Sequence, residues 1–225
     1  MKYVAASLLI LTLFIGGCSD NHTAQETNSE VKASSDSTES TVSTETKSTK
    51  TTITDSPQAP DDSSLTEVGE SFQDADGSIT LNAISDYDET TTIGDVELHI
   101  SDVKIMNYAP SPDLIDFFHG YSDNETQFNY VKLRVTVKNT SDKAVNFAPI
   151  SMLETGSEKK GFEDDFYLES LYGVYAPNEE RSGQLGFVLN ETKVENLKAI
   201  TVHTSDVFDQ NKESLTKSKT IEVPF

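Results

Sequence analysis

The clearest pattern in the chain is a strict alternation, Tyr130-Val131-Lys132-Leu133-Arg134-Val135-Thr136-Val137-Lys138. Side chains alternate across a strand, so Val131, Leu133, Val135 and Val137 share one side and Lys132, Arg134, Thr136 and Lys138 the other. A period of two predicts a half-buried β-strand with its polar set facing water. Asn139-Thr140-Ser141-Asp142 is a cluster of turn formers, and Ala144 to Ile150 resumes an extended pattern, so the pair predicts a hairpin. Shorter alternations recur at Ile79 and Leu81, at Val96, Leu98 and Ile100, at Leu185, Phe187 and Leu189, and at Ile200 and Val202. Val103 and Ile105 continue the run from Ile100 only after a phase slip at Ser101-Asp102, as a β-bulge would produce. Thr220 to Phe225 is expected to close a sheet. One short helix is expected, with Ser111 as its cap, Pro112 at its first position, and Leu114, Ile115, Phe117 and Phe118 on its apolar face. About seven to nine short strands, polar turns and little helix predict an all-β fold, an antiparallel sandwich.

The first 66 residues break this pattern in two ways. After Lys2, an apolar run from Val4 to Ile15 ends in Gly16-Gly17. About 20 residues are needed to span a bilayer, so this run has the length of a signal-peptide core instead. The four residues Ile15-Gly16-Gly17-Cys18 resemble the bacterial lipobox. That resemblance implies that Cys18, the only cysteine of the chain, carries a diacylglyceryl group, becomes the mature N-terminus, and holds the protein at the extracytoplasmic face of the cell membrane. An ordinary secretory signal with an incidental cysteine is the alternative. The lipid arithmetic favours stable attachment, because one acyl chain binds only reversibly whereas a palmitate-type pair does not readily leave. From Ser19 to Thr66, 22 of 48 residues are Ser or Thr, nine are acidic, and none is Phe, Tyr or Trp. Such a segment buries too little apolar surface to offset the entropy of ordering it, and is expected to be a disordered tether with a reach of about 35–42 Å. The expected organisation is a lipoprotein signal peptide over 1–17, the lipidated cysteine and Ser/Thr-rich linker over 18–66, and one β-domain over 67–225.

Composition narrows the function classes. The chain of 225 residues has 17 Lys and Arg against 38 Asp and Glu, a formal net charge of −21. A charge of that sign argues against nucleic acid as a partner. One cysteine and four histidines leave no multi-thiolate or His-rich metal centre, and no cofactor is expected. There is no G-x-S-x-G, no H-E-x-x-H and no phosphate-cradling glycine loop, so the chain is read as a non-enzyme. His99 and His203 fall within expected strands and are read as structural. Acidic clusters at Asp74 and Asp76, at Asp86, Asp88 and Glu89, at Glu163-Asp164-Asp165, and at Asp206 and Asp209 are read as solvated surface. A weak calcium site is the alternative, but after Asp74-x-Asp76 the positions where an EF-hand wants Gly and Glu hold Ile79 and Ser85.

Signal, tether and strand order together resemble small Gram-positive lipoproteins with a C-terminal immunoglobulin-like domain of unknown function. The resemblance rests on Ile93-Gly94-Asp95-Val96-Glu97-Leu98-His99-Ile100, on the strand and turn from Tyr130 to Lys143, and on Ala176-Pro177-Asn178 through Gly183 to Val188. It covers roughly Thr91 to Phe225, and implies an immunoglobulin-like β-sandwich. It carries over no catalytic residue.

The excursion between Asn107 and Asn129 is longer than a hairpin needs, and long loops often bind. Its aromatics suit a sugar or protein partner, giving Tyr108, Phe117, Phe118, His119 and Tyr121 as a candidate binding loop. The alternative is that the phenylalanines cap one end of the core. The expected function is a surface lipoprotein presenting its domain for binding or structural interaction with an envelope protein or glycan. A wall-associated hydrolase and a passive surface antigen are the alternatives.

Overall fold

A computed structural model describes residues 58–225. The expected leader, Cys18 and the expected linker up to residue 57 lie outside the described residues. Fourteen strands follow one another: β1 (Ser71–Gln73), β2 (Gly77–Ile84), β3 (Glu89–Ile93), β4 (Val96–Pro110), β5 (Phe128–Asn139), β6 (Val145–Phe147), β7 (Met152–Glu154), β8 (Lys159–Gly161), β9 (Gly173–Tyr175), β10 (Glu180–Leu189), β11 (Ala199–His203), β12 (Val207–Phe208), β13 (Ser214–Thr216) and β14 (Thr220–Pro224). They form three antiparallel sheets. The largest runs β1-β2-β4-β5-β10 with β3 also on β4; the others run β14-β11-β7-β8 and β13-β12-β6-β9.

The alternation read from the sequence places the core. Val131, Leu133, Val135 and Val137 of β5 are fully buried with Leu98, Ile100, Leu185 and Phe187, and they meet Val145, Leu153, Ile200, Val202 and Val223 from the two smaller sheets. One apolar core therefore joins all three sheets, each buried aliphatic side chain contributing about 1.5–3 kcal/mol. The phase slip is present: the β4–β5 register shifts between Ser101 and Lys104, and Asp102 takes a left-handed backbone with φ of 46°. The closing strand β14 pairs with β11.

Three expectations are corrected. The turn after β5 does not make a hairpin, because β6 pairs with β9 and β12, while β5 lies between β4 and β10. Fourteen strands replace seven to nine, since pieces of two or three residues such as β9 and β12 are too short to show a period. The helix is one turn, Ile115–Phe118, with no side-chain cap; the Leu114 amide donates to Ser111 O in the turn before it, so Ser111 closes that turn instead of capping.

The folded chain also starts before residue 67. Ala59 and Leu65 are buried and belong to a second apolar cluster with Ile79, Leu81, Met106, Tyr108, Phe118, Phe128, Tyr130, Phe166 and Tyr167. This cluster sits on the other face of the large sheet, covering one end of it. Residues 58–66, polar enough to read as linker, form a strap across that face.

Candidate functional site

The outer face of the large sheet grades from apolar to charged. Cross-strand register sets its rows on β4, β5 and β10: Met106, Tyr130 and Val188; then Lys104, Lys132 and Gly186; then Ser101, Arg134 and Gln184; then His99, Thr136 and Ser182; last Glu97, Lys138 and Glu180. What covers each row differs, and the candidate site lies where the cover stops.

The apolar end is covered by the long excursion. Tyr108 lies in β4, fully buried, its hydroxyl donating to Gln58 O at 2.9 Å and Asp76 O at 2.8 Å. Phe118 is also fully buried, edge-on to Tyr108 at 5.5 Å and near Phe166 at 5.3 Å. Phe117 and Tyr121 are half-buried and stacked on each other at 5.4 Å. His119 is exposed and faces Glu125 at 2.5 Å. Of the five candidate loop residues, the structure therefore spends Tyr108 and Phe118 on the core and Phe117 and Tyr121 on packing against it, leaving His119 at the surface. Asn190 pins the excursion further, donating to Tyr121 O and accepting from the Asp123 amide.

The middle row holds a buried ionic cluster. Lys132 was expected to face water and instead is fully buried, because the strap lies over it. Its Nζ donates to Asp62 Oδ2 at 2.5 Å and to Asp102 Oδ2 at 2.7 Å. Lys104 Nζ donates to Asp62 Oδ2 and to Asp62 O, both at 2.9 Å, and stands 3.2 Å from Asp102 Oδ1. Burial pushes the Asp102 carboxyl up, but the charges of Lys132 and Lys104 outweigh it and hold it below the ordinary carboxylate range. Burial pushes Lys104 down, and Asp62 and Asp102 more than reverse this, leaving it raised. Two buried ammoniums thus depend on two carboxylates, one from the strap and one from the bulge.

Beyond the strap the face is open. Thr136 Oγ1 and Ser182 Oγ share a hydrogen bond at 2.7 Å. His99 lies between Thr90 Oγ1 at 3.1 Å and Asp88 Oδ1 at 3.0 Å, and Lys138 is flanked by Glu97 and Glu180 across the strands. A cleft of about 600 Å³ opens where strap, bulge and the β2–β3 connection meet, lined by Ser63, Tyr87, Asp86, Asp88, Asp102 and Arg134 among others. Arg134 is the guanidinium of this cleft, with Asp102 at 3.8 Å and a buried Nε that has no hydrogen-bond partner among the described residues. Arrays of hydroxyls, carboxylates and one guanidinium recognise polar ligands by hydrogen bonding and charge.

The other acidic clusters serve the fold. Asp206 accepts from Ser214, Lys217 and the Ser218 amide, and Asp209 accepts from the Asn211 and Glu213 amides. Asp165 is buried with Oδ1 accepting from the Tyr167 and Gly186 amides. Among the described residues no three His, Cys, Asp or Glu side chains converge to hold a metal ion. Sequence reasoning missed the ionic cluster and the cleft; the phase slip at Ser101-Asp102 was the one signal that pointed to their position.

A family model described as a domain of unknown function (DUF4352) matches residues 66–213. The uncharacterized protein YdhF of Bacillus subtilis (strain 168) is 33% identical over 237 aligned positions, which span 97% of this chain and 98% of that one. A functionally unknown protein from Listeria monocytogenes EGD-e has a similar crystal structure, with a TM-score of 0.47 at 18% identity, covering 66% of this chain and 88% of that one. On the family match and the relative together, this chain belongs to the DUF4352 family.

Proposed function

We propose that the chain is an extracytoplasmic lipoprotein, held by a diacylglyceryl group on Cys18, whose β-domain offers the open half of its large sheet to an envelope protein or glycan. The observation that carries the anchor is Ile15-Gly16-Gly17-Cys18 directly after a 12-residue apolar run. Alignment with the Bacillus relative across 97% of the chain supports an N-terminal organisation common to both proteins. The surface is chosen by the cover: excursion and strap occupy the apolar and ionic rows, and the rows of Thr136 and Lys138 stay accessible. An interaction surface of this kind fits a domain carried on a long Ser/Thr-rich linker, with the sheet as a rigid platform.

The finer reading of the fold, an immunoglobulin-like β-sandwich within the small Gram-positive lipoproteins, belongs to the same proposal. Two features support it: one core shared between the large sheet and the two smaller ones, and the buried Tyr175 hydroxyl donating to Leu171 O four residues upstream, a corner that recurs in such sandwiches.

Photocrosslinking in cells tests the surface. A photoreactive residue replacing Thr136 is expected to give a discrete adduct with a macromolecule, and one replacing the exposed Glu222 on β14 is not. No adduct at 136, or the same adducts at both positions, would contradict the proposal.

A further inference from the structure

Five charged side chains line the cleft beside Arg134, namely Asp86, Asp88, Asp102, Lys104 and Arg134 itself. Most are already matched. Asp102 faces both buried lysines, Lys104 is shared between Asp62 and Asp102, and Asp88 faces His99 at 3.0 Å. Two groups are left over. Arg134 keeps its buried Nε without a hydrogen-bond partner among the described residues, and its carboxylate neighbour, at 3.8 Å, is engaged by the lysines. Asp86 is exposed and forms no ion pair among the described residues. Tyr87, between Asp86 and Asp88 in the chain, is half-buried and packs against the main core, so its ring is held in place. The connection that carries Asp86 and Tyr87 is fixed at its start: the Ser85 amide donates to Val103 O, the Ser85 hydroxyl donates to Pro224 O, and the Tyr87 amide donates to Ser85 Oγ.

A guanidinium whose one carboxylate neighbour is shared with two lysines and a carboxylate without an ion pair among the described residues, in one cleft, call for a ligand with both signs of charge. A simple anion such as phosphate would meet three carboxylates against two cations there, in a chain of net charge −21. We infer that the cleft binds an amino-carboxylate zwitterion, a free amino acid or a short peptide with both ends free. Arg134 takes the carboxylate, for which its planar fork is shaped, Asp86 takes the ammonium, and the Tyr87 ring offers apolar contact to what lies between. A volume of about 600 Å³ suits this size of ligand. The inference goes beyond the reading of the open sheet face as a partner surface and depends neither on that reading nor on the anchor.

Titration of the full-length protein with glycine, diglycine and triglycine, followed by amide chemical shifts or by calorimetry, tests it. At least one of the three is expected to bind saturably in the millimolar range. N-acetylation or C-amidation of that peptide, Arg134→Gln and Asp86→Asn are each expected to weaken binding at least roughly tenfold. Melting temperature is measured alongside, and Asp86→Asn, being at the surface, is expected to leave it unchanged. No saturable binding, equal binding of the blocked peptides, full retention by either variant, or tighter binding of O-phosphoethanolamine than of every peptide would overturn the assignment. The crosslinking test at Thr136 is a separate readout, so failure of the partner surface and failure of the zwitterion site are told apart.

Discussion

Asp62 and Lys132 meet at 2.5 Å across 70 residues of chain, and neither is accessible to water, with relative exposures of 4% and 0%. The pair fixes the strap that leads back toward Cys18 onto the centre of the large sheet. Desolvating an ammonium is costly, and here the cost is offset only because two carboxylates reach it. The strap is therefore part of the folded domain, although its composition is that of the tether.

Removing one partner should be far worse than removing both. Asp62→Asn leaves Lys132 and Lys104 sharing one carboxylate and is expected to cost about 3–5 kcal/mol. Replacing the pair together, Asp62→Leu with Lys132→Met, should recover most of that loss, because the cavity then holds no uncompensated charge. Urea unfolding of the two variants checks both values. Equal destabilisation by the single and the double variant would show that the contact, and not the unpaired charge, sets the stability.

Asp165 gives the domain a pH signature. Burial pushes its carboxyl up from the ordinary 3.8 to about 7, against the Gly186 and Tyr167 amides that favour its charged form and with Glu169 adding to the rise. The folded chain therefore holds this proton more tightly than the unfolded chain between about pH 4 and pH 7. Its stabilising contribution is complete below the unfolded value and is lost as pH rises through about 7. Asp165→Asn keeps an oxygen to accept the same amides and cannot ionise. It should match the natural protein below pH 4 and exceed it at pH 8, by up to about 4 kcal/mol. Asp102, whose lowered pKa has the opposite pH dependence, is present in both proteins and cancels in the difference. A flat difference in melting temperature from pH 4 to 8 would refute the assignment.

How much of this was legible follows from what a local pattern can report. Alternation placed Val131, Leu133, Val135 and Val137 on the core side and put a phase slip at Ser101-Asp102, where the register does shift, between Ser101 and Lys104. It could not report that Lys132 is dry, because a period says which side a residue takes and not whether distant chain covers that side. The covering strap has Ala59, Pro60 and Leu65 as its buried apolar residues, too few to set a pattern among its serines and aspartates. The turn after β5 named the kind of residues present and not the sheet the chain would join. At the cleft, Asp86 and Arg134 come together only through long-range register, to which spacing in sequence is blind. The aromatic excursion was visible as unusual, and its rings turned inward because Ile79, Leu81 and Tyr130 offered them an apolar bed.

Gly186 is needed where the Phe166 and Tyr167 rings lie against β10. A Cβ at that position would sit 2.3 Å from Tyr167 Cδ2 and 2.9 Å from Phe166 Cε1, so both rings would have to move. Gly186→Ala is expected to cost about 1–3 kcal/mol through this overpacking, read as a lower urea midpoint with an unchanged slope. A neutral result would mean that the loop bearing Phe166 and Tyr167 yields without loss.

Attachment through Cys18 is what holds the proposed organisation together. Cells grown with labelled palmitate and expressing the natural protein or Cys18→Ala are lysed and separated into membrane and soluble fractions. Labelled natural protein in the membrane fraction, with an unlabelled Cys18→Ala protein in the soluble or secreted fraction, is the predicted result. Membrane retention of Cys18→Ala, or natural protein that takes up no label, would contradict it.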